Sequence, residues 1–417
     1  MRILYAGRLF SGLESSVVSR TWRPTGVPTI HKVIERLDRC SELHLMLADK
    51  DDATLWRERS DQTIAISGLK APVTMLSGSA AIPLRRGTLA RMLRELRQTW
   101  RVLRAVRRLR PDLVYIDHGN AIAAAVLAHL SSIPVVFRVM GIYPAMRTAL
   151  TGKTAGFRAL RWAYRAPFAL VICTEDGSGG AAWLRQALRP GIRCELMLNG
   201  VDPLSDAQDS QSSIPIPKDR TVVLFVGKLE AAKGCDVFLH AFLRASAAAP
   251  GELHAVIVGT GTQAGAMKMR ADSSKAADTV TFVPRVPHAE MLKIQRRADI
   301  YVSLNRLGNF SNANLEAMRV GASMILPAHL PDVGTDDPTS RLLPPGTYAS
   351  IANPDAIEEL SERLLQLHRD PARRKELSVK MKVAADRLLP TWQERVDREI
   401  DMLFAVVGKA KPVNGAA

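Results

Sequence analysis

Short apolar runs alternate with amphipathic stretches along the whole chain. In the first half the runs are Ile3–Ala6, Leu43–Ala48, Leu113–Ile116, Val135–Arg138, Leu170–Thr174 and Cys194–Leu198. In the second half they are Val222–Val226, Ala255–Val258, Val280–Val283, Ile300–Leu304 and Met324–Pro327. Runs of this length, rich in aliphatic residues, read as buried strands. The intervening segments carry helical spacing, as in Pro28–Leu37 and Ala121–Leu130. Strand and helix in alternation predict an α/β protein with parallel sheets, and each half holds enough strands for one doubly wound domain.

The stretch SDAQDSQSSIPIPKD between the halves is polar, lacks periodicity and reads as a linker. The expected organisation is therefore a first domain over 1–204, a linker over 205–219, a second domain over 220–388, and a helix with a disordered tail over 389–417. Ligands of such sheets bind beyond the carboxyl ends of the strands, so the chemistry is expected just after each strand.

Composition narrows the function classes. The chain has 417 residues, 47% of them hydrophobic, enough for two sizeable cores. Its four cysteines, Cys40, Cys173, Cys194 and Cys235, form no CxxC pair, which points away from zinc and disulfides and toward a reducing compartment. The opening MRILYAGRLF has too short an apolar run for a signal peptide. The longest uncharged stretch, between His118 and Arg138, divides into helix, turn and strand rather than a membrane span. The net charge is +16. The first 200 residues hold 30 basic and 15 acidic side chains, the rest 27 and 26. The excess on the first half leaves nucleic acid, an anionic membrane or an acidic ligand as candidate partners.

The strand ends of the second half carry the candidate chemistry. GKLEAAKG (227–234) pairs Gly227, where backbone can approach a ligand, with Lys228 and Lys233, two cations suited to a diphosphate; solvated surface lysines are the plain alternative. GTGTQAG (259–265) fits a dinucleotide fingerprint only weakly at Gly259, Gly261 and Ala264. The acid that would bind ribose should end the next strand, where Pro284 and Arg285 stand instead. GNFSNANLEAMRVG (308–321) begins as a loop and becomes a helix. Ser311 and Asn312 suit an N-cap, whose exposed N–H groups attract anions. Glu316, about one turn in, either complements the helix dipole or accepts hydrogen bonds from sugar hydroxyls.

In order and spacing, LMLNGVD (196–202), FVGKLEAAKG (225–234), AVIVGTGT (255–262), VTFVPRVPHAEM (280–291), FSNANLEAMRVG (310–321) and TWQERV (391–396) resemble glycosyltransferase family 4, retaining nucleotide-sugar enzymes of the GT-B fold. The match is strong over about residues 195–400 and fainter before. The resemblance implies two Rossmann-like domains facing a cleft and a C-terminal helix, containing Trp392, that crosses back to the first. It implies that Lys228 and Lys233 hold the diphosphate, that the backbone at Pro284 and Arg285 holds the base, and that Glu316, second glutamate of an E-x7-E motif, holds the ribose. The donor loop then comprises Asn309, Phe310, Ser311, Asn312, Ala313, Asn314, Leu315 and Glu316, with Gly227 a further donor-binding residue. The first glutamate of the motif is absent: Gly308 stands there, and Asn309 or Ser311 is the expected substitute contact. No metal or other cofactor is expected, because cations and helix-end N–H groups can stabilise the departing diphosphate. The acidic pair Asp336-Asp337 reads as a solvated turn.

On the acceptor side, Asp117 and His118 follow one strand, Arg138 and Gly141 another. His118 is expected to orient or deprotonate the acceptor hydroxyl. Gly26, before a helix opened by Pro28, fits the family's glycine turn near the diphosphate, with Gly12 the alternative; the segment between, with Trp22, reads as a lid. The stretch 85–110 carries ten arginines and one acid, with Leu89, Met92, Leu93, Leu96, Trp100, Leu103 and Val106 as an apolar stripe. It reads either as a helix packed on its own domain or as a surface for anionic lipid, with 147–165 a second patch. Together these predict a retaining transferase on the cytosolic membrane face, using a nucleotide-sugar donor and a lipid-linked glycan acceptor. Competing readings are an inactive transferase-like partner (from Gly308), a nucleotide-dependent dehydrogenase, and a nucleic-acid binder, the last lacking interleaved aromatics.

Overall fold

The computed structural model describes residues 1–10, 12–50, 56, 58–78, 81, 87–203, 212–274, 276–328 and 337–408. Most of the expected tail, Asp336 of the acidic pair, the start of the arginine stretch and the first part of the linker lie outside the described residues. The chain forms two compact units. One comprises Met1–Thr174, Gly180–Met197 and Trp392–Ala417, the other Glu175–Gly179 and Leu198–Thr391.

In the first unit the strands are β1 (Arg2–Arg8), β2 (Glu42–Ala48), β3 (Gln62–Ile64), β4 (Val73–Leu76), β5 (Leu113–Asp117), β6 (Val135–Val139), β7 (Leu170–Thr174) and β8 (Cys194–Met197). They pair in the order β3-β4-β2-β1-β5-β6-β7-β8. All pairs are parallel except β3 against β4. Every residue of β5, β6 and β7 is buried, as expected of strands covered on both faces. The second unit holds β9 (Thr221–Val226), β10 (Leu253–Val258), β11 (Val280–Val283), β12 (Ile300–Val302), β13 (Met324–Pro327) and β14 (Ala349–Ile351). Their order is β11-β10-β9-β12-β13-β14, wholly parallel. Counted from β9 this is 3-2-1-4-5-6, the dinucleotide-fold order, whose switch point lies between β9 and β12.

The helix Trp392–Val406 belongs to the first unit. Val396, Ile400, Leu403 and Phe404 join the core built on Ile3, Tyr5, Ile34 and Leu37. Each such side chain contributes ~1.5–3 kcal/mol on burial. Its polar anchor is Glu399, fully buried. Glu399 accepts from the Tyr115 hydroxyl and lies 3.5 Å from Arg138 and 2.5 Å from Arg395, both also buried. Burial opposes the Glu399 charge, but the two guanidiniums outweigh it and lower its pKa.

Candidate functional site

In the second unit, the loops after β9 and β12 meet at the switch point. Arg306 donates its backbone N–H to the Ala232 carbonyl (3.1 Å) and its guanidinium to Ala231. Gly234 packs so tightly on Leu304 that an added Cβ would lie 2.6 Å from the Leu304 Cβ. Lys228 and Lys233 both stand on the β9 loop, Lys228 exposed and Lys233 half-buried. Burial lowers the Lys233 pKa; Asp176 opposes that shift, while Lys228 adds to it. Two ammonium groups that act on one another electrostatically thus share one strand-end loop.

The loop after β10 completes this side. Gly259 has φ +153, and a Cβ there would meet the Gly227 carbonyl at 1.8 Å. The glycines of GTGT are thus required by backbone packed against the β9 loop, which accounts for them without a dinucleotide. Glu230 accepts from the Thr262 N–H (2.9 Å) and hydroxyl (2.5 Å), tying the two loops together.

After β12 the chain enters the helix Asn312–Arg319, capped by Ser311, whose hydroxyl accepts from the Asn314 N–H at 3.4 Å. Several side chains expected at the donor face inward instead. Asn309 is fully buried and donates to the Pro327 carbonyl. Asn314 accepts from the Tyr301 hydroxyl and donates to Ser303 and to the Asn309 carbonyl, all at 2.9 Å. Phe310 and Leu315 are core residues. Asn309, Phe310, Asn314 and Leu315 therefore shape the loop, and Asn309 does not supply the missing acid's contact through its side chain. Ser311, Asn312, Ala313 and Glu316 stay partly accessible. Asn312 is held by the Asn199 amide at 2.7 Å.

Glu316 keeps 18% of its side chain exposed and sits 3.1 Å from His288 Nε2, itself 65% exposed. His288 opens the helix His288–Arg297 after β11. Its signal in the sequence is a histidine at a helix start just past a strand end. Pro284 and Arg285 are exposed immediately beyond β11. The Val283 carbonyl is already taken by the Gly259 N–H (2.9 Å). Residues 283–288, the lysine loop and Glu316 thus all belong to the carboxyl-end loops of β9, β11 and β12. A cavity of about 860 Å³ in the same unit, lined by Arg220, Thr221, Arg296 and Arg297 among others, lies instead beside the start of β9.

In the first unit the switch point falls between β1 and β5. Asp117 is buried there, accepting from the Arg8 N–H (2.6 Å) and the Asn120 amide (3.0 Å). Arg138 is buried too, donating to the Val139 and Ile172 carbonyls and to Thr174. Both were expected to face an acceptor, and both are spent inside the unit. His118, in the turn 118–120, approaches the Tyr164 hydroxyl at 2.9 Å and stacks on its ring. Burial, reinforced by Arg8, pushes its pKa down to about 4. It is therefore neutral at neutral pH, suited to orienting a hydroxyl rather than holding its proton. Gly141, with φ +132, turns the chain after β6.

Gly12 and Gly26 are both turn glycines with positive φ, and the Thr25 N–H donates to the Gly12 carbonyl. The segment between contains a short helix, Glu14–Ser19. Trp22 is not a lid tip: its indole donates to Glu35 at 2.9 Å, and its N–H to the Ser67 carbonyl.

The arginine stretch forms the helix Thr88–Leu109. Its buried side is Ala90, Arg94, Gln98, Thr99, Val102, Ala105 and Val106. Most of the apolar stripe read from the sequence points outward: Leu89, Met92, Leu93, Leu96 and Trp100 are all exposed, Leu96 by 59%. Arg101 and Arg104 flank the Trp100 ring, at 5.2 and 5.4 Å from its centroid. Arg97 and Arg101 are partly neutralised by Asp61. No described helix is long and apolar enough to cross a membrane.

Residues 206–383 match the family model described as glycosyl transferases group 1. The chain is 26% identical over 205 residues to D-inositol 3-phosphate glycosyltransferase of Mycobacterium tuberculosis, covering 46% of this chain and 40% of that protein. It is 27% identical over 124 residues to the protein of that name from Segniliparus rotundus, covering 29% and 27%. The alignments thus span well under half of these relatives. Among solved structures, sucrose-phosphate synthase from Thermosynechococcus elongatus superimposes with TM-score 0.69 at 16% identity, over 96% of this chain and 99% of that one. Anabaena Alr3699/HepE in complex with UDP-glucose gives 0.64 at 16% identity, over 96% and 100%. Residues 206–383 thus carry a group 1 glycosyl transferase region, and the chain as a whole has the GT-B fold.

Proposed function

We propose that the protein is a retaining glycosyltransferase of the family 4 type, taking a sugar from a nucleoside-diphosphate donor bound at the carboxyl ends of β9, β11 and β12. The observation that carries this reading is the grouping of Lys228 and Lys233 on one strand-end loop with the capped helix bearing Glu316 on the next. Lys228, Lys233 and the N–H groups around Asn312 oppose the diphosphate charge. Glu316, steadied by His288, accepts from the ribose hydroxyls, and the base lies along Pro284 and Arg285. The first unit receives the acceptor, with His118 and Gly141 at its strand ends and Gly26 in the first turn.

In the reaction the bond from the anomeric carbon to the diphosphate oxygen breaks as the acceptor hydroxyl attacks from the same face. The hydroxyl proton passes to the departing diphosphate, so the neutral His118 need only orient the hydroxyl. Charge develops on the diphosphate, where preorganised donors are worth a few kcal/mol each. In this reading the lysines and helix end carry that charge, and no metal is called on.

The helix Thr88–Leu109 supports the reading of the acceptor class. An exposed apolar strip beside surplus arginine suits an anionic membrane surface, and so a lipid-linked glycan acceptor on the cytosolic face. A donor screen tests the whole reading: UDP-, GDP- and ADP-sugars are incubated with membrane lipid extract, with and without EDTA. Release of one nucleoside diphosphate, dependent on the extract and indifferent to EDTA, is the expected outcome. No release from any donor would contradict it.

A further inference from the structure

The cavity of about 860 Å³ in the second unit takes its walls from three places in the sequence. The segment that runs into β9 brings Lys218 and Arg220, together with the apolar Ile214, Pro215 and Ile216. The helix His288–Arg297 brings Lys293, Arg296 and Arg297, whose spacing of three and four residues puts them on one face. The helix Pro371–Leu388 adds Arg374 from its opening turn. Among the described residues, six basic side chains thus line the space against two acids, Asp219 and Asp299.

The acids do not balance the cations. Asp299 accepts from the Val222 N–H at 2.8 Å and stands 3.5 Å from Arg297. Arg220 lies 3.7 Å from Asp278, and Lys293 lies 3.6 Å from Glu290. Both separations exceed the roughly 2.7–2.9 Å of a tight charge-assisted pair. Arg297 and Arg374 are oriented instead by neutral carbonyls. Arg297 donates to Pro217, and Arg374 to Leu367 and, at 2.7 Å, to His368. Carbonyls fix a guanidinium in place without cancelling its charge. Arg220, Lys293 and Arg297 keep 24, 20 and 30% of their side chains exposed, so these cations are recessed yet reachable. Like charges gathered in a recess repel, and a bound polyanion relieves that repulsion.

This place is separate from the strand ends read as the donor site. β9 starts at the cavity and ends at the lysine loop, six residues and about 20 Å further on at the usual strand rise. His288 meets Glu316 at one end of its helix. Arg296 and Arg297 reach the cavity at the other end, about 13 Å away at the usual helical rise.

We propose that the cavity is a second anion site, taking a small organic molecule that carries two or more phosphate groups. The recessed cations meet the phosphates, and Ile214, Pro215 and Ile216 face the carbon body. The volume is that of a small-molecule site. A recess walled by three elements suits such a ligand, whereas a flat membrane surface would meet only its rim. The site does not depend on the donor-site reading.

The experiment titrates fructose bisphosphate and inorganic tripolyphosphate into the full chain by calorimetry at low salt. Lys233→Ala, altered at the lysine loop, should still bind one equivalent of either probe. Arg220→Gln combined with Arg296→Gln removes two charges at similar side-chain length. It should weaken both probes at least tenfold and leave the melting temperature and the binding of nucleoside diphosphates as in the wild type. A measurement on the wild type alone guards against a misfolded variant: fructose bisphosphate should shield Arg220 and Arg296 from phenylglyoxal, read by peptide mass. No binding of either probe, many equivalents per chain, or no shielding would overturn the proposal. Loss of the probes in Lys233→Ala with retention in the arginine variant would assign the phosphates to the lysine loop and overturn it too. Loss of phosphatidylglycerol vesicle binding in the arginine variant, with the probes still bound, would make this face a membrane surface instead. A wild type that binds the probes at one equivalent but no nucleoside diphosphate would sink the donor-site reading and leave this site standing.

Discussion

His118 is the residue whose chemistry changed most between sequence and structure. A strand-end histidine suggests a proton acceptor, but burial beside Arg8 holds its pKa at about 4. Because the folded value lies below the ordinary 6.5, the unfolded chain binds the proton first as pH falls. His118 therefore supports the fold fully above pH 6.5, and that support drains away between 6.5 and 4, by ~3 kcal/mol at most. Urea midpoints measured from pH 7.5 to 4.5 should fall in the wild type and fall less in His118→Phe, whose ring can still stack on Tyr164. Equal slopes would show that another group governs the acid limb. Asp117 and Arg138 teach the same lesson differently. Both stand where strand-end logic places functional groups, yet each is buried and bound within its own unit. Sequence position gives the strand end; only packing decides which way a side chain turns.

At the scale of elements, the strands that are nearly unbroken apolar runs were legible: β7 and β13 fall on the residues expected. The strands β3, β4 and β14 were not, since they are only three or four residues long and all three mix polar residues into the run. The helix Thr88–Leu109 shows a subtler limit. Helical spacing identified its apolar stripe, but spacing cannot say whether a stripe faces a core or solvent. Here the core side uses small and polar residues, including Arg94 and Gln98, and the stripe from Leu89 to Trp100 is left outside. If this face meets anionic lipid, flotation with phosphatidylglycerol vesicles should carry the protein upward at low salt. Leu96→Glu with Trp100→Glu should reduce that binding at least tenfold without moving the melting temperature, because neither residue is buried. Binding that ignores both lipid charge and these substitutions would contradict the membrane reading.

At the scale of the whole chain, the two-unit α/β plan was readable from alternation, and the return of the C-terminal helix to the first unit was implied by the family resemblance. The inward turn of the 308–315 side chains was not, because it depends on contacts with Ser303, Tyr301 and Pro327 across the sheet. Nor was the presence of Glu175–Gly179 in the second unit, far from the β12 loop in sequence. What unites the second unit is a cationic loop and a capped helix at one switch point, and the central claim is that these hold a nucleoside diphosphate. Calorimetric titration of the wild type, Lys233→Ala and Glu316→Ala with UDP, GDP and ADP tests it directly. The account predicts that one diphosphate binds the wild type, that Lys233→Ala weakens it at least tenfold, in proportion to a lost charge-assisted contact of ~1.5–3 kcal/mol, and that Glu316→Ala weakens the diphosphate but not free pyrophosphate. Binding of none of the three, or identical affinities in all three proteins, would contradict it.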